Sequence, residues 1–260
     1  MNVTGNTILI TGGGSGIGRA LAEAFHRLGN KVIVAGRREA ALRAVAQANP
    51  GIETAVLDVS DAAGIERFAE KVARDYPSLN VVLNNAGIMS LEDWSAESVD
   101  ISVAESTITT NLLAPIRLTA ALLPHLKKQA RSTVMFVSSG LGFLTLAPTA
   151  TYCATKAAIH AFSDALRYQL RATSVDVVEI VPPYVQTELM GEHQASDPNA
   201  MPLAEFIDEV MGILKTQPDV REVLVKRVYP LRFAAEQGYE KYREQFQTFN
   251  DRSASALPKQ

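Results

Sequence analysis

The sequence predicts a doubly wound α/β fold: a parallel sheet of about seven strands with helices on both faces. Three observations predict it. Short apolar β runs alternate with helical segments along the chain. The connections between successive strands are long enough for the right-handed crossovers of a parallel sheet. A glycine-rich turn, "TGGGSGIG" (Thr11 to Gly18), joins the first strand to the first helix. Together these describe a Rossmann-type sheet, which binds ligands at the carboxyl ends of its strands.

Each element follows in order. "TILIT" (Thr7 to Thr11) is the first strand, and "ALAEAFHRLG" is a helix stopped at Gly29. "KVIVAG" is the second strand, and "EAALRAVAQA" is a helix ending before Pro50. "IETAVLD" and "IERFAEKVARDY" are the third strand and helix, and "NVVLNNAG" is the fourth strand. A helical stretch runs from about Ser98 to Lys128. "STVMFVSS" is the fifth strand, and "PTATYCATKAAIHAF" opens the helix after it. "VDVVEIV" is the sixth strand, and "REVLV" the seventh. Between them, the polar segment 191–202 reads as a substrate-side loop before the helix "LAEFIDEVMGIL". Residues 1–260 form one domain with no linker or repeat, and residues 253–260 lack a core pattern and read as a mobile tail.

Composition narrows the function. A hydrophobic fraction of 47% supports a large core, and a formal charge of −3 does not favour nucleic acid or an anionic membrane. No apolar run reaches the ~20 residues of a membrane helix, and the amino terminus lacks a signal-peptide pattern. The single cysteine, Cys153, allows no internal disulfide, which fits the cytoplasm. The four histidines show no metal-ligand spacing, so no metal is expected. Cys153 is expected to pack into the core.

The glycine turn does not fit G-x-G-x-x-G, since the sixth position from Gly12 is Ile17. It fits T-G-x-x-x-G-x-G through Thr11, Gly12, Gly16 and Gly18. Five glycines in seven residues permit a tight turn and close backbone approach, and the helix amino terminus offers N–H groups to a pyrophosphate. Gly12, Ser15, Gly16, Ile17 and Gly18 are therefore cofactor-binding candidates. After the second strand the chain reads "VAGRRE". An acid there would accept from a ribose diol, as in NAD sites. This chain has Gly36, followed by Arg37 and Arg38, whose guanidiniums suit a 2′-phosphate. The expected cofactor is NADP(H) in preference to NAD(H).

Tyr152 and Lys156 are four residues apart, which places them on one helix face. A phenol with a pKa near 10 is a poor acid or base at neutral pH. A neighbouring ammonium is expected to lower it, so that it could exchange a proton with a carbonyl or alcohol oxygen. "FVSSG" places a serine hydroxyl at the carboxyl end of the fifth strand, where it could hold the substrate oxygen.

With these motifs the chain resembles the single-domain short-chain dehydrogenase/reductase family, from "TGGGSGIG" to "VPPYVQTEL". The resemblance rests on Asn84 to Gly87 as N-N-A-G, Asn111 in the following helix, and S-x12-Y-x3-K as Ser139, Tyr152 and Lys156. It implies reversible carbonyl/alcohol oxidoreduction. Tyr152 would be the general acid/base, Lys156 would tune it and anchor the ribose, and Ser139 would polarise the carbonyl. Asn111 would hold a relay water. It also implies that Asp58 and Val59 meet the adenine, and that Asn85, Ala86 and Gly87 line the ribose. Pro182, Val185 and Thr187 would lie on the nicotinamide side. The family's Pro-Gly is replaced by Pro182-Pro183, which stiffens that loop. The family's oligomers imply a homodimer or homotetramer.

Leu141, Phe143, Tyr184, Leu189 and Met190, with Met89 and Trp94, are pocket candidates, mainly apolar, and favour a neutral or hydrophobic substrate. Two other readings share part of this pattern. A non-catalytic NADP(H) sensor has no need of the proton-transfer residues. A sugar-nucleotide epimerase shares Y-x-x-x-K but carries a larger second domain, and only about seventy-five residues follow Val185 here.

Overall fold

The central strands are sealed on both sides, and their side chains divide by parity. In β1 (Thr7–Thr11), Ile8 and Ile10 join one core, while Leu9 joins the other. The computed structural model describes residues 1–256. Its seven strands are β1, β2 (Lys31–Gly36), β3 (Glu53–Val56), β4 (Leu79–Asn84), β5 (Ser132–Val137), β6 (Val175–Val181) and β7 (Glu222–Leu224). They form one sheet in the order β3-β2-β1-β4-β5-β6-β7, and every pair is parallel.

One face is covered by α1 (Gly16–Arg27), α2 (Glu39–Ala48) and α8 (Leu203–Thr216), through Phe25, Leu42 and Phe206 among others. The other is covered by α3 (Ala62–Asp75), α5 (Ala114–Leu126) and α6 (Ala150–Leu170), through Phe68, Leu122 and Ile159. The strand order reverses between β1 and β4. That switch point opens a crevice at the carboxyl ends of the strands, where the glycine turn and the N-N-A-G turn both lie.

Three expectations are corrected. The helical stretch expected from Ser98 begins at Ser102, because the Asp100 carboxylate accepts from the Ser102 N–H and hydroxyl, each at 2.9 Å, and holds a turn before it. It is also not one regular helix. α4 (Ser102–Ile108) and α5 are joined by a π-helical turn, Thr109–Leu113, with Asn111 in it. Second, the segment 191–202 is not all loop. It contains α7 (Glu192–Ser196), and Met201 bridges back to Val185. Third, the tail expected from Ser253 contributes its first four residues to α10 (Tyr239–Ala256). Residues 257–260 lie outside the described residues.

Residues 226–252, unassigned in the sequence reading, brace the connection between Ser139 and Tyr152. Asn250 of α10 accepts from the Ala147 N–H at 2.6 Å and donates to the Thr145 carbonyl at 3.1 Å. Leu231 of α9 (Tyr229–Arg232) packs so close to Gly140 that a Cβ there would lie 2.6 Å from its Cδ1.

Candidate active site

The two turns at the switch point are built into each other. Asn85 donates from Nδ2 to the carbonyls of Thr11 (3.0 Å) and Gly12 (3.3 Å), and Thr11 Oγ1 accepts from the N–H groups of Asn85 and Ala86. Gly12 has φ +66°, and a Cβ on it would lie 2.8 Å from Asn85 Nδ2. A Cβ on Gly18 would lie 2.5 Å from the Gly12 carbonyl oxygen. These two glycines therefore make room for Asn85, a refinement of the expectation that the glycines mainly admit a ligand. Gly16, at φ +51°, faces Thr187 from across the crevice, its Cβ position 3.5 Å from the threonine.

A cleft of about 1240 Å³ opens here. Its walls include Gly12, Ser15, Gly16 and Ile17 at the start of α1, then Arg37, Arg38, Asp58 and Val59 at the ends of β2 and β3. Asn85, Ala86 and Gly87 lie at its centre, with Ser139, Tyr152, Lys156, Pro182, Val185 and Thr187 toward the far end. Gly18 and Asn111 do not line the cleft; Gly18 packs against Asn85, and Asn111 bonds the backbone of Ile88. The N-cap Ser15 makes no side-chain bond to its own helix. Its hydroxyl instead accepts from Arg38 Nη2 at 3.0 Å. The helix start thus offers backbone N–H groups and a positive dipole end to the cleft. Arg37 is exposed at the cleft rim. The Asp58 carboxyl is held below its ordinary range, first by the Ser60 hydroxyl and N–H, with the Arg37 charge a smaller cause.

Ser139, Tyr152 and Lys156 converge. The Ser139 hydroxyl lies near enough to Tyr152 to favour its phenolate form. Ser139 Oγ also accepts from the Leu141 N–H at 3.1 Å, which leaves its own proton free to donate. Lys156 Nζ donates to the Val137 carbonyl at 2.8 Å and lies 5.4 Å from the Tyr152 ring centre. Both side chains are buried. Here the expected electrostatics are corrected. Burial raises the phenol above its ordinary value, with the Ser139 hydroxyl as a smaller opposing cause. Burial also lowers the Lys156 ammonium to about 8, with the Glu179 carboxylate opposing. In the protein alone, desolvation decides the direction of the phenol's shift, and Lys156 is not among its causes.

Asn111 is engaged with its neighbours. Its Oδ1 accepts from the Ile88 N–H at 2.9 Å, and its Nδ2 donates to the Ile88 carbonyl at 2.8 Å and to Thr155 Oγ1 at 3.4 Å. It fixes the chain just after the N-N-A-G turn. Cys153 is buried, and burial pushes its thiol up. Among the described residues no cluster of three or more His, Cys, Asp or Glu could hold a metal.

The substrate end differs from the expected set. Met89 and Leu189 line the cleft, whereas Leu141, Phe143, Tyr184, Met190 and Trp94 do not. Phe143 is taken up between His160 and the Arg232 guanidinium. Tyr184 donates to Asp197 at 3.1 Å, and Trp94 is exposed. Gln186, Glu188 and Gln194, which composition did not single out, line it instead. Gln194 is buried and donates to the Val185 carbonyl (2.8 Å) and Thr187 Oγ1 (3.1 Å), so it holds the 185–187 segment in shape.

A short chain dehydrogenase family model matches residues 6–198. The uncharacterized oxidoreductase DltE of Bacillus subtilis (strain 168) is 41% identical over 251 residues, covering 95% of this chain and 99% of that protein. An alcohol dehydrogenase from the archaeon Thermococcus sibiricus, solved with 5-hydroxy-NADP, is 26% identical with a TM-score of 0.76, over 86% of this chain and 97% of that one. A short chain dehydrogenase/reductase from Burkholderia phymatum, solved with NAD, shares the fold at 19% identity and a TM-score of 0.79, over 91% and 95% of the two chains.

Proposed function

We propose that this chain, which belongs to the short chain dehydrogenase family and is an NAD(P)-dependent dehydrogenase/reductase, uses NADP(H) to interconvert a carbonyl and an alcohol on a neutral small molecule. The observation that carries the reading is the meeting of Ser139, Tyr152 and Lys156 at the substrate end of a cleft whose other end holds Arg37 and Arg38. The cleft fits a dinucleotide: N–H groups at the start of α1 for the pyrophosphate, guanidiniums for a 2′-phosphate, and Lys156 for a ribose hydroxyl. When bound, NADPH supplies the hydride that reaches the carbonyl carbon.

The chain's own part is the proton. Ser139 donates to the substrate oxygen and holds it beside Tyr152. Tyr152 Oη gives that oxygen its proton as negative charge develops there. Burial keeps the phenol protonated, which suits carbonyl reduction. Lys156 then stabilises the phenolate left behind, and Asn111 supports the path by which Tyr152 regains a proton. Leu189 and Met89 give the substrate apolar contact, while Glu188 at the same end disfavours an anionic substrate. The single free thiol is compatible with the cytoplasm as the place of action.

The test is a panel of neutral aldehydes and ketones incubated with NADPH, read as loss of the reduced nicotinamide signal. Turnover of at least one compound is expected. NADPH binding without turnover across the panel would favour a sensor and sink the reading.

The pH profile follows from Lys156. Its ammonium is present below about 8 and is lost above it. For reduction, kcat/KM should stay level near neutrality and fall as pH rises through about 8, a limb that reports the free enzyme. A profile level to about pH 10 would remove Lys156 from this role.

We also propose a homodimer or homotetramer. α4 and α6 pack together, and they expose Ile108 at 40% and Tyr168 at 68%. Sedimentation at micromolar concentration should exceed the 28.1 kDa of one chain. A monomer there would refute it.

A further inference from the structure

The helix that carries Tyr152 starts without a cap of its own. Thr149, its N-cap residue, makes no side-chain cap bond; its hydroxyl donates back to the Leu146 carbonyl at 3.1 Å and lies 3.6 Å from Cys153 Sγ. The first turn is held from outside. Glu92, in the loop after β4, accepts from the Thr151 N–H at 2.7 Å and from the Thr151 hydroxyl at 2.6 Å. Its own N–H donates to the Pro148 carbonyl at 2.8 Å. A carboxylate at a helix amino terminus is favoured both by the free N–H groups and by the dipole. Thr151 directly precedes Tyr152 in the chain.

The same loop forms part of the cleft. Met89 and Ser90 line it. They lie between two anchors: Ile88, gripped at both backbone groups by Asn111, and Glu92, fixed to the start of α6. The substrate wall and the acid/base are thereby tied together by side-chain bonds from distant parts of the chain.

We propose that Glu92 is a positioning residue for Tyr152, holding the first turn of α6 and the 88–92 wall in one arrangement so that the phenol meets the substrate oxygen. This inference rests on the assignment of Tyr152 as the proton donor. It does not make Glu92 a catalytic residue, because its carboxylate is spent on Thr151.

The test compares Glu92→Ala, Glu92→Gln and Tyr152→Phe with the wild type on a substrate from the carbonyl panel. Misplacing a reacting group by a fraction of an ångström to an ångström is enough to slow chemistry strongly. Glu92→Ala should lower kcat by about tenfold or more and raise the carbonyl KM, with the NADPH Kd within about twofold of wild type. Glu92→Gln, which keeps an acceptor oxygen for the Thr151 N–H, should recover most of the loss. Wild-type kcat in Glu92→Ala would overturn the proposal. So would an equal loss of NADPH affinity, which would signal general disruption, or a Gln variant as impaired as the Ala variant. The two assignments separate cleanly. An inactive Tyr152→Phe beside a fully active Glu92→Ala defeats the latch alone, whereas an active Tyr152→Phe defeats the proton-donor assignment.

Discussion

Tyr152→Phe should lower kcat by about 10²–10⁴-fold while NADPH binds nearly as it does to the wild type. The variant removes one oxygen from a buried ring and leaves its packing unchanged. What is lost structurally is at most a polar contact with Ser139, no more than about 1.5 kcal/mol, a small share of a domain's stability. On the proposed mechanism, what is lost chemically is the group that gives up its proton to the substrate oxygen, whereas Ser139 only hydrogen-bonds that oxygen. Lys156 is directed to the Val137 carbonyl and cannot replace it without leaving that bond. Measured kcat together with the NADPH Kd checks the expectation. Retention of more than about a tenth of kcat would exclude Tyr152 as the acid.

The second large effect concerns the other end of the cleft. Arg37→Ala should weaken NADPH by roughly tenfold to over a hundredfold and NADH little, because a charge-assisted contact to a 2′-phosphate is worth about 1.5–3 kcal/mol. Arg38 is already bonded to Ser15, so Arg37 is the freer of the two to meet the phosphate. Gly36→Asp should reverse the preference: the carboxylate accepts from a ribose diol and repels a phosphate. The fold has room for it. A Cβ at Gly36 meets only Leu42 Cδ2, at 3.7 Å, which is ordinary contact. Titrating the wild type and both variants with each cofactor decides the matter. Equal wild-type affinity for NADH and NADPH, or an equal loss of both in Arg37→Ala, would leave the arginine pair as a solvated start to α2.

Much of this was legible along the chain. Short apolar runs gave β1, β2 and β6 their bounds, since each is a near-continuous buried run flanked by turn residues. Spacing put Tyr152 and Lys156 on one helix face, a strand-end serine was legible in "FVSSG", and the family resemblance picked out Ser139; all three line the cleft. What spacing does not carry is the environment. Tyr152 and Lys156 are both desolvated, so the phenol rises and the ammonium falls, opposite to what proximity alone suggests. Nor does it carry contacts between remote loops. Glu92 reaches Thr151 across 59 residues and Asn250 reaches Ala147 across 103, and neither lies in a periodic pattern. The π-turn at Thr109–Leu113 was hidden for a different reason: the sequence on either side keeps a helical rhythm. The substrate wall was misread because large apolar residues such as Phe143 and Tyr184 satisfy other partners, while Gln186 and Glu188 face the cleft.

The central claim is that this cleft reduces a carbonyl by adding hydride from NADPH to carbon and a proton from Tyr152 to oxygen. NADPH carrying deuterium at the transferring position of its nicotinamide tests it most directly, with the alcohol product examined by mass spectrometry and NMR. Deuterium is expected on the carbinol carbon with the wild type, and labelled alcohol should form at least about 10²-fold more slowly with Tyr152→Phe. Unlabelled alcohol from the wild type, or equal labelling by the two proteins, would contradict it.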